Sequence, residues 1–449
     1  MILRSARRGL VIVLGALVTA VAAVEAAPAP VKSRIVLIAP FDAAALDADD
    51  QWIGEAVGEV LRLSLVQHQA FMPLERSRLR AVGAPTVWGN EVVQQTARTI
   101  RADVAVFGRV TRTGNDIVLQ PRVLEVKQGS EPVALEDVAI PDGQLIAKLG
   151  TLPGIYARAL KVPLTEAEAA RLEKAARPTR NLRALELYAR AHMALSRGGQ
   201  EANESAVDLL SRAIESDASF VAAQYALGTV HQTLGNRWKA AAQYRAATQL
   251  DPSQPEPYKA IGDLFLIQPR RLFDQALEAY EKAITLRPFY ADAHVGLGDA
   301  KAAKGDTDGA IKAYQQALVF NAMSPRVHLS LGKIYFGEKG LYYEAVNAYK
   351  KAIDLDPGSV EARMGLGEVY EDKGLYKEAS EEYRKVIDLD GKHTGAMYNL
   401  AIVYEKTDPR EAIAQWERYI ALASQLPNEK DWVDVARQHL RKLKTQIKD

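Results

Sequence analysis

Apolar positions follow two rhythms along this chain, and the change comes near residue 181. Before it, short apolar runs alternate with helical stripes. Residues 34–39 form a β-branched run that reads as a buried strand, ended by Pro40. Asp49 and Asp50 stand where they cap a helix whose apolar residues Ile53, Val57, Val60, Leu61 and Leu65 recur at helical spacing. Phe71 and Met72 suggest a short strand, residues 91–101 a helix, and residues 104–108 a second buried strand. Thr113-Gly114-Asn115-Asp116 is turn chemistry. Residues 117–126 then read as a strand, 133–140 as its neighbour, and 144–160 as a helix. Strand–helix–strand followed by three strands predicts a small α/β (α+β) layer domain over residues 32–160. Residues 161–180 are charged and alanine-rich and end at Pro178; they predict a linker helix whose Glu166, Glu168, Arg171 and Lys174 face solvent.

After residue 181 the pattern becomes self-similar. The pairs Leu227-Gly228, Ile261-Gly262, Leu297-Gly298, Leu331-Gly332, Leu366-Gly367 and Leu400-Ala401 recur at steps of 34, 36, 34, 35 and 34. Each is followed by an alanine (Ala240, Ala276, Ala310, Ala345, Ala379, Ala412). Four residues further on comes an aromatic (Tyr244, Tyr280, Tyr314, Tyr349, Tyr383, Trp416). Pro252, Pro288 and Pro357 close three of the units, with Ala322 and Gly391 in the same place elsewhere. One helical hairpin cannot bury its own apolar stripe, so stacking is obligatory. An earlier, degenerate unit keeps Ala206, Leu210, Ala213 and Ala218 but has a lengthened turn. Six clear units and one degenerate unit therefore occupy residues 181–424. Residues 425–449 carry one apolar stripe (Trp432, Val433, Val435, Ala436, Leu440, Leu443, Ile447) and predict a capping helix.

This spacing closely resembles the tetratricopeptide repeat (TPR) family. The resemblance implies an all-α, right-handed superhelix, an α-solenoid, that binds protein or peptide on its concave face. Carried over by position, the inward residues are Tyr225, Thr229 and Gln232; Glu256, Lys259 and Asp263; Asp292 and Asp299; Arg326, Lys333 and Phe336; and Glu361, Glu368, Glu371 and Asp372. Family members that clamp a terminal carboxylate use lysine and then asparagine here. Lys259 is instead followed by Asp263, which would repel a carboxylate. The remaining groove is acidic, interrupted by Arg326 and Lys333, and suits a basic or mixed-charge segment. The alternative is that these charges only solvate the face.

The first domain resembles the TolB amino-terminal-like family, which includes FlgO and CsgG relatives. The match rests on residues 36–41 with Trp52-Ile53-Gly54-Glu55, on residues 101–110 before the Gly114 turn, and on residues 164–168. Arg101 stands where that family usually has glycine. The resemblance implies an assembly module of bacterial envelope proteins, without catalytic residues.

Targeting and composition narrow the setting. Arg4, Arg7 and Arg8 precede an apolar run over residues 10–24 and a small-residue exit at Val24-Glu25-Ala26. This predicts a secretory signal over residues 1–26 and a periplasmic or otherwise extracytoplasmic protein. The alternative is an inner-membrane anchor formed by residues 10–24. A formal net charge of +1 gives no field that points to nucleic acid. There is no cysteine, which removes thiolate metal sites and cysteine nucleophiles. No cofactor or metal signature is present. Ser330-Leu331-Gly332-Lys333 has a serine–x–x–lysine spacing but overlaps a repeat pair. His294 and His328 take a packing position of their repeats. The expected function is an exported, non-enzymatic scaffold. The alternatives are a glycan-binding module using Tyr225 and Tyr398, or a small-molecule sensor in the first domain.

Overall fold

The computed structural model describes residues 33–74, 79, 88–267 and 272–447. The expected signal lies outside the described residues. Six strands form one mixed sheet: β1 (Arg34–Ile38), β2 (Phe71–Pro73), β3 (Val104–Thr113), β4 (Asp116–Glu125), β5 (Val133–Ala134) and β6 (Val138–Ile140). The order is β2-β1-β3-β4-β5, with β6 also on β4. β1 runs parallel to both β2 and β3, and the later pairs are antiparallel. β3 extends past the expected residue 108 to form a ten-residue hairpin with β4. The run 133–140 splits in two: Leu135 still donates to the Pro121 carbonyl, and pairing with β4 resumes at Val138.

Alternation along the strands sends side chains to two cores. Val36, Val104 and Val106 face α1 (Trp52–Leu65), while Ile35, Leu37, Ala105 and Phe107 face α2 (Asn90–Thr99) with Val93 and Ala97. The expected helix over 144–160 is broken at Gly150 into α3 (Leu145–Leu149) and α4 (Leu152–Ala159). α5 (Glu166–Ala175) opens with a capping box, in which Thr165 and Glu168 bond each other's backbone N–H. Its charged face is exposed, yet Leu172, 1% exposed, and Ala176 lie in the same core as α1. That core continues into Leu185 and Ala189 of the first repeat. Apolar contact therefore runs unbroken from the sheet into the helical array.

Seven helical hairpins follow among the described residues. Hairpin I is Leu182–Arg197 with Gln200–Ser216, and hairpin II is Val221–Thr233 with Arg237–Leu250. Hairpin III is Pro255–Leu266 with Phe273–Leu286, and hairpin IV is Ala291–Lys304 with Thr307–Phe320. Hairpin V is Pro325–Lys333, prolonged by the π-helical turn Ile334–Glu338, with Tyr342–Leu355. Hairpin VI is Val360–Asp372 with Tyr376–Leu389, and hairpin VII is Thr394–Thr407 with Pro409–Ala423. A last helix, Lys430–Gln446, buries Val433, Ala436 and Leu443 against hairpin VII and leaves Trp432 and Ile447 exposed. Hairpin V has one residue more between its glycine and its alanine than hairpins II, IV and VI. The π turn Ile334–Glu338 takes up that residue.

One contact makes the repeat. A Cβ at Gly228, Gly262, Gly298, Gly332 or Gly367 would stand 2.5–2.8 Å from the ring of the tyrosine in the same hairpin. Glycine thus lets Tyr244, Tyr280, Tyr314, Tyr349 and Tyr383 lie flat between helices, all of them buried. Hairpin VII replaces the pair with Ala401 and Trp416.

The sheet domain also touches the array far from hairpin I. Met323, in the loop between hairpins IV and V, packs against the core formed by Ile35, Leu37 and Phe107. Arg101 donates to the Asp354 carbonyl at 3.0 Å at the end of hairpin V. At hairpin I, Arg190 donates to the Asp49 carbonyl at 2.7 Å.

Candidate functional site

In hairpins II, III, IV and VI the tyrosine that fills the hairpin also reaches a residue expected to face inward. Tyr280 donates to Asp263 at 2.7 Å, Tyr314 to Asp299 at 2.7 Å, and Tyr383 to Glu371 at 2.8 Å. Tyr244 donates to Gln232 at 2.8 Å and lies 3.5 Å from Thr229 Oγ1; Trp416 Nε1 donates to Glu405 at 2.8 Å. Inner-face acceptors are therefore fixed from beneath by core aromatics, which holds their rotamers. The bases are committed too. Lys259 pairs with Asp263 at 2.8 Å. Arg326 of hairpin V pairs with Asp299 of hairpin IV, and Lys333 with Glu361 of hairpin VI. Phe336 packs on Tyr342 with ring centres 6.0 Å apart. Asp372 faces that tyrosine's hydroxyl and stays exposed.

Burial holds Asp299 above the usual carboxylate range, against the pull of Arg326 and Tyr314. Burial also raises Glu368, and the neighbouring Glu371 adds to it. Glu371 rises for the same first reason, with Asp372 opposing its ionisation. Hairpin VI thus brings together carboxylates that oppose one another's ionisation.

Early hairpins present a different site. Tyr225, Thr229, Glu256 and Asp292 line a cleft of about 1560 Å³ whose opposite wall is α1 and the sheet's edge, including Pro40, Phe41 and Leu74. From α1, Glu55, Glu59 and Arg62 point toward it. Glu59, 1% exposed, pairs with Arg62 and lies 3.5 Å from both the Tyr188 hydroxyl and His192 Nε2. On the repeat side, Arg287 is 3% exposed, with Nη1 2.7 Å from Glu256 and its guanidinium 5.2 Å from the Tyr290 ring centre. Burial drives the Tyr290 hydroxyl well above the ordinary tyrosine range, with Tyr225, Glu256 and Asp292 contributing.

The fifteen residues expected to face inward therefore fall into two groups. Tyr225, Thr229, Glu256 and Asp292 border the cleft. The others form the paired surface from hairpin II to hairpin VI. Sequence reasoning passed over Glu59, Arg62, His192, Arg287 and Tyr290. A signal existed for two of them: Glu59 interrupts the apolar stripe of α1, and Arg287 holds a junction position that is aspartate or asparagine at Asp217, Asp251, Asn321, Asp356 and Asp390. The Tyr398 ring packs edge-to-face with Trp416, Tyr419 and Trp432, with ring centres 5.0–5.5 Å apart. His294 packs as expected, its Nε2 2.8 Å from the Pro288 carbonyl. Among the described residues no cluster of three metal-ligating side chains occurs, and no helix is long and apolar enough to cross a membrane.

Comparison with known proteins identifies the hairpins. Residues 273–305, 298–337 and 338–374 match a family described as TPR repeat, and residues 193–255 and 360–393 match two described as tetratricopeptide repeat. Over these matched residues the hairpins are tetratricopeptide repeats, in a mostly helical solenoid with a small mixed-sheet region before it. Protein CTR9 homolog of Arabidopsis thaliana is 28% identical over 154 residues, covering 32% of this chain and 14% of its own length. The chain thus spans about a seventh of that curated relative. MamA is similar at 28% identity and a TM-score of 0.34, over 37% of this chain and 95% of its own. YrrB, a TPR protein with an unusual peptide-binding site, is similar at 23% identity and a TM-score of 0.36, over 40% of this chain and 93% of its own.

Proposed function

We propose that the protein is an exported interaction scaffold that captures a basic or mixed-charge peptide segment on the inner face of hairpins IV to VI. The observation that carries this reading is preorganisation. Asp299 and Glu371 are held by tyrosine hydroxyls and Arg326 and Lys333 by cross-hairpin pairs, so little side-chain freedom remains to be lost on binding. The raised Glu368 and Glu371 carboxylates give a basic segment its driving force, since a cation relieves their repulsion. The sheet domain serves as a TolB-amino-terminal-like docking module in an envelope assembly, and residues 1–26 direct export.

The test is photocrosslinking from position 336 in intact source cells. Capture of one defined partner is expected, with Glu368→Lys/Glu371→Lys weakening it roughly tenfold at low salt and less at high salt. An unchanged partner set in that double variant would sink the groove reading. Export is tested separately by protease accessibility with and without residues 1–26; a cytosolic full-length protein would remove the envelope setting and leave the groove untouched.

A further inference from the structure

The junctions between hairpins obey one local rule, with a single departure among those described. At Asp217, Asp251, Asn321, Asp356 and Asp390 the side chain accepts from the backbone N–H two residues on, at 2.9–3.2 Å. This Asx turn starts the next repeat. The junction from hairpin III to hairpin IV has Arg287 there, and its long side chain cannot make that bond. Departures from an otherwise consistent local solution concentrate at functional sites.

The departure coincides with the cleft. Leu286, Arg287, Pro288, Phe289 and Tyr290 all line it. The guanidinium is almost fully buried, yet only Nη1 approaches an acid, and neither terminal nitrogen completes a well-aligned hydrogen bond among the described residues. A guanidinium has five donors, and burying them unmet is costly. Glu256 already offsets the positive charge. The unmet need is therefore for uncharged acceptors, and a second carboxylate would meet Glu256 and Asp292. Among the described residues acidic and basic side chains are equally represented around the cleft, and they give no field for a strongly charged ligand. Much of the remaining wall is apolar, including Phe41, Val66, Leu74, Trp88 and Phe289. Its volume of about 1560 Å³ exceeds the ~300–1,000 Å³ typical of small-molecule pockets.

The geometry points to a second binding site, between α1 and hairpins II to IV, that holds an extended, uncharged, apolar peptide segment with a backbone carbonyl on Arg287. The Tyr290 ring keeps the guanidinium plane in place, as a fixed fork for that carbonyl. The site is independent of the acidic face of hairpins IV to VI.

The probe is a pool of N-acetylated, C-amidated heptapeptides of leucine, valine, proline, threonine and asparagine, offered to the full chain and read by affinity selection and mass spectrometry. A second pool carries one aspartate or glutamate per peptide, and dodecanoate is a third arm. Retention of the uncharged pool is expected, unchanged in Glu368→Lys/Glu371→Lys and weakened roughly tenfold or more in Arg287→Asn. Asparagine restores the turn chemistry of Asn321, so this variant keeps its melting temperature. Retained peptides carrying a photoreactive phenylalanine should crosslink to Trp88, Phe289 or Tyr290. No retention by the wild type, equal retention by Arg287→Asn, preference for the acidic pool or dodecanoate, or crosslinks only to hairpins V to VII would each overturn the proposal. Should Arg287→Asn unfold, Arg287 would be a structural residue, and the crosslink position alone would decide the site.

Discussion

At the sheet end of the molecule, carboxylates are satisfied; on the inner face of hairpins IV to VI they are held in reserve. Glu168 lies below its ordinary range because the Thr165 backbone and hydroxyl bond to it. For Glu186 burial pushes upward, but hydrogen bonds from Arg183 and Arg190 win and hold it low. Asp217 follows the same course, with Ser219 and Thr179 overcoming burial. In hairpins IV to VI the balance reverses, and burial keeps Asp299, Glu368 and Glu371 above their ordinary values. The difference lies in the donors around each acid. At the sheet end hydrogen bonds outweigh burial. In hairpins IV to VI burial outweighs the donors that are present.

The most severe way to break this comparison is to remove an anchor from each side. Tyr280 touches Gly262 and Gly296 of two hairpins, and Leu172 joins α5 to the sheet core. Tyr280→Ala should cost about 3–5 kcal/mol and Leu172→Ala about 2–5 kcal/mol in urea denaturation. Segment-resolved hydrogen exchange should show Tyr280→Ala opening hairpins II to IV first. Leu172→Ala should open α1 and hairpin I together. If Leu172→Ala releases the sheet while hairpin I keeps its protection, the shared core is not a cooperative unit.

A smaller effect isolates the hydroxyl. Tyr280→Phe removes the bond to Asp263 and should cost about 1–2 kcal/mol, since the acceptor is charged. Tyr349 packs the same way against Gly332, but among the described residues its hydroxyl makes no such bond. Tyr349→Phe should be close to neutral by the same denaturation measurement. Equal costs would mean that ring packing, and not the bond to the inner face, explains the tyrosine.

Acidity gives the subtlest separation. An acid raised in the folded state stabilises fully below its unfolded pKa, and that contribution is lost as pH rises through the folded value. Hairpins IV to VI should therefore gain stability as pH falls from 7 toward about 4.5. Acids depressed at the sheet end behave in the opposite sense, and their contribution disappears only as pH falls below about 4. A scan of melting temperature against pH should rise slightly and then drop. Glu368→Gln/Glu371→Gln should flatten the rise and leave the drop, and a drop that vanished with it would put the acid-sensitive groups in hairpin VI.

Much of this was legible in the sequence, and the rest was not for identifiable reasons. The repeat register could be read because glycine and tyrosine meet within one hairpin, about sixteen residues apart, so the contact leaves a local pattern. Strand ends were legible where β-branched runs met Pro40 or Gly114. The break at Gly150 was hidden because apolar spacing continues across it. Burial of α5 was hidden because a single leucine, Leu172, inside a charged alanine-rich stretch gives almost no periodic signal. The cleft joins α1 to junctions about 230 residues later, and one chain carries no pattern for such a pairing. Arg287 is the intermediate case, visible once the residue closing each repeat is compared with its counterparts.

Met323 carries a consequence for how the chain assembles. A solenoid ordinarily grows unit by unit, each hairpin needing only its neighbour. Here one face of the first domain's core receives a member that follows α2 by more than two hundred residues. The part of the chain made early therefore stays incomplete until hairpin IV has followed it, with loop closure as the slow step. A nascent chain halted before residue 323 should display that unfinished face to whatever chaperone meets it, and completion of hairpin IV should withdraw the signal.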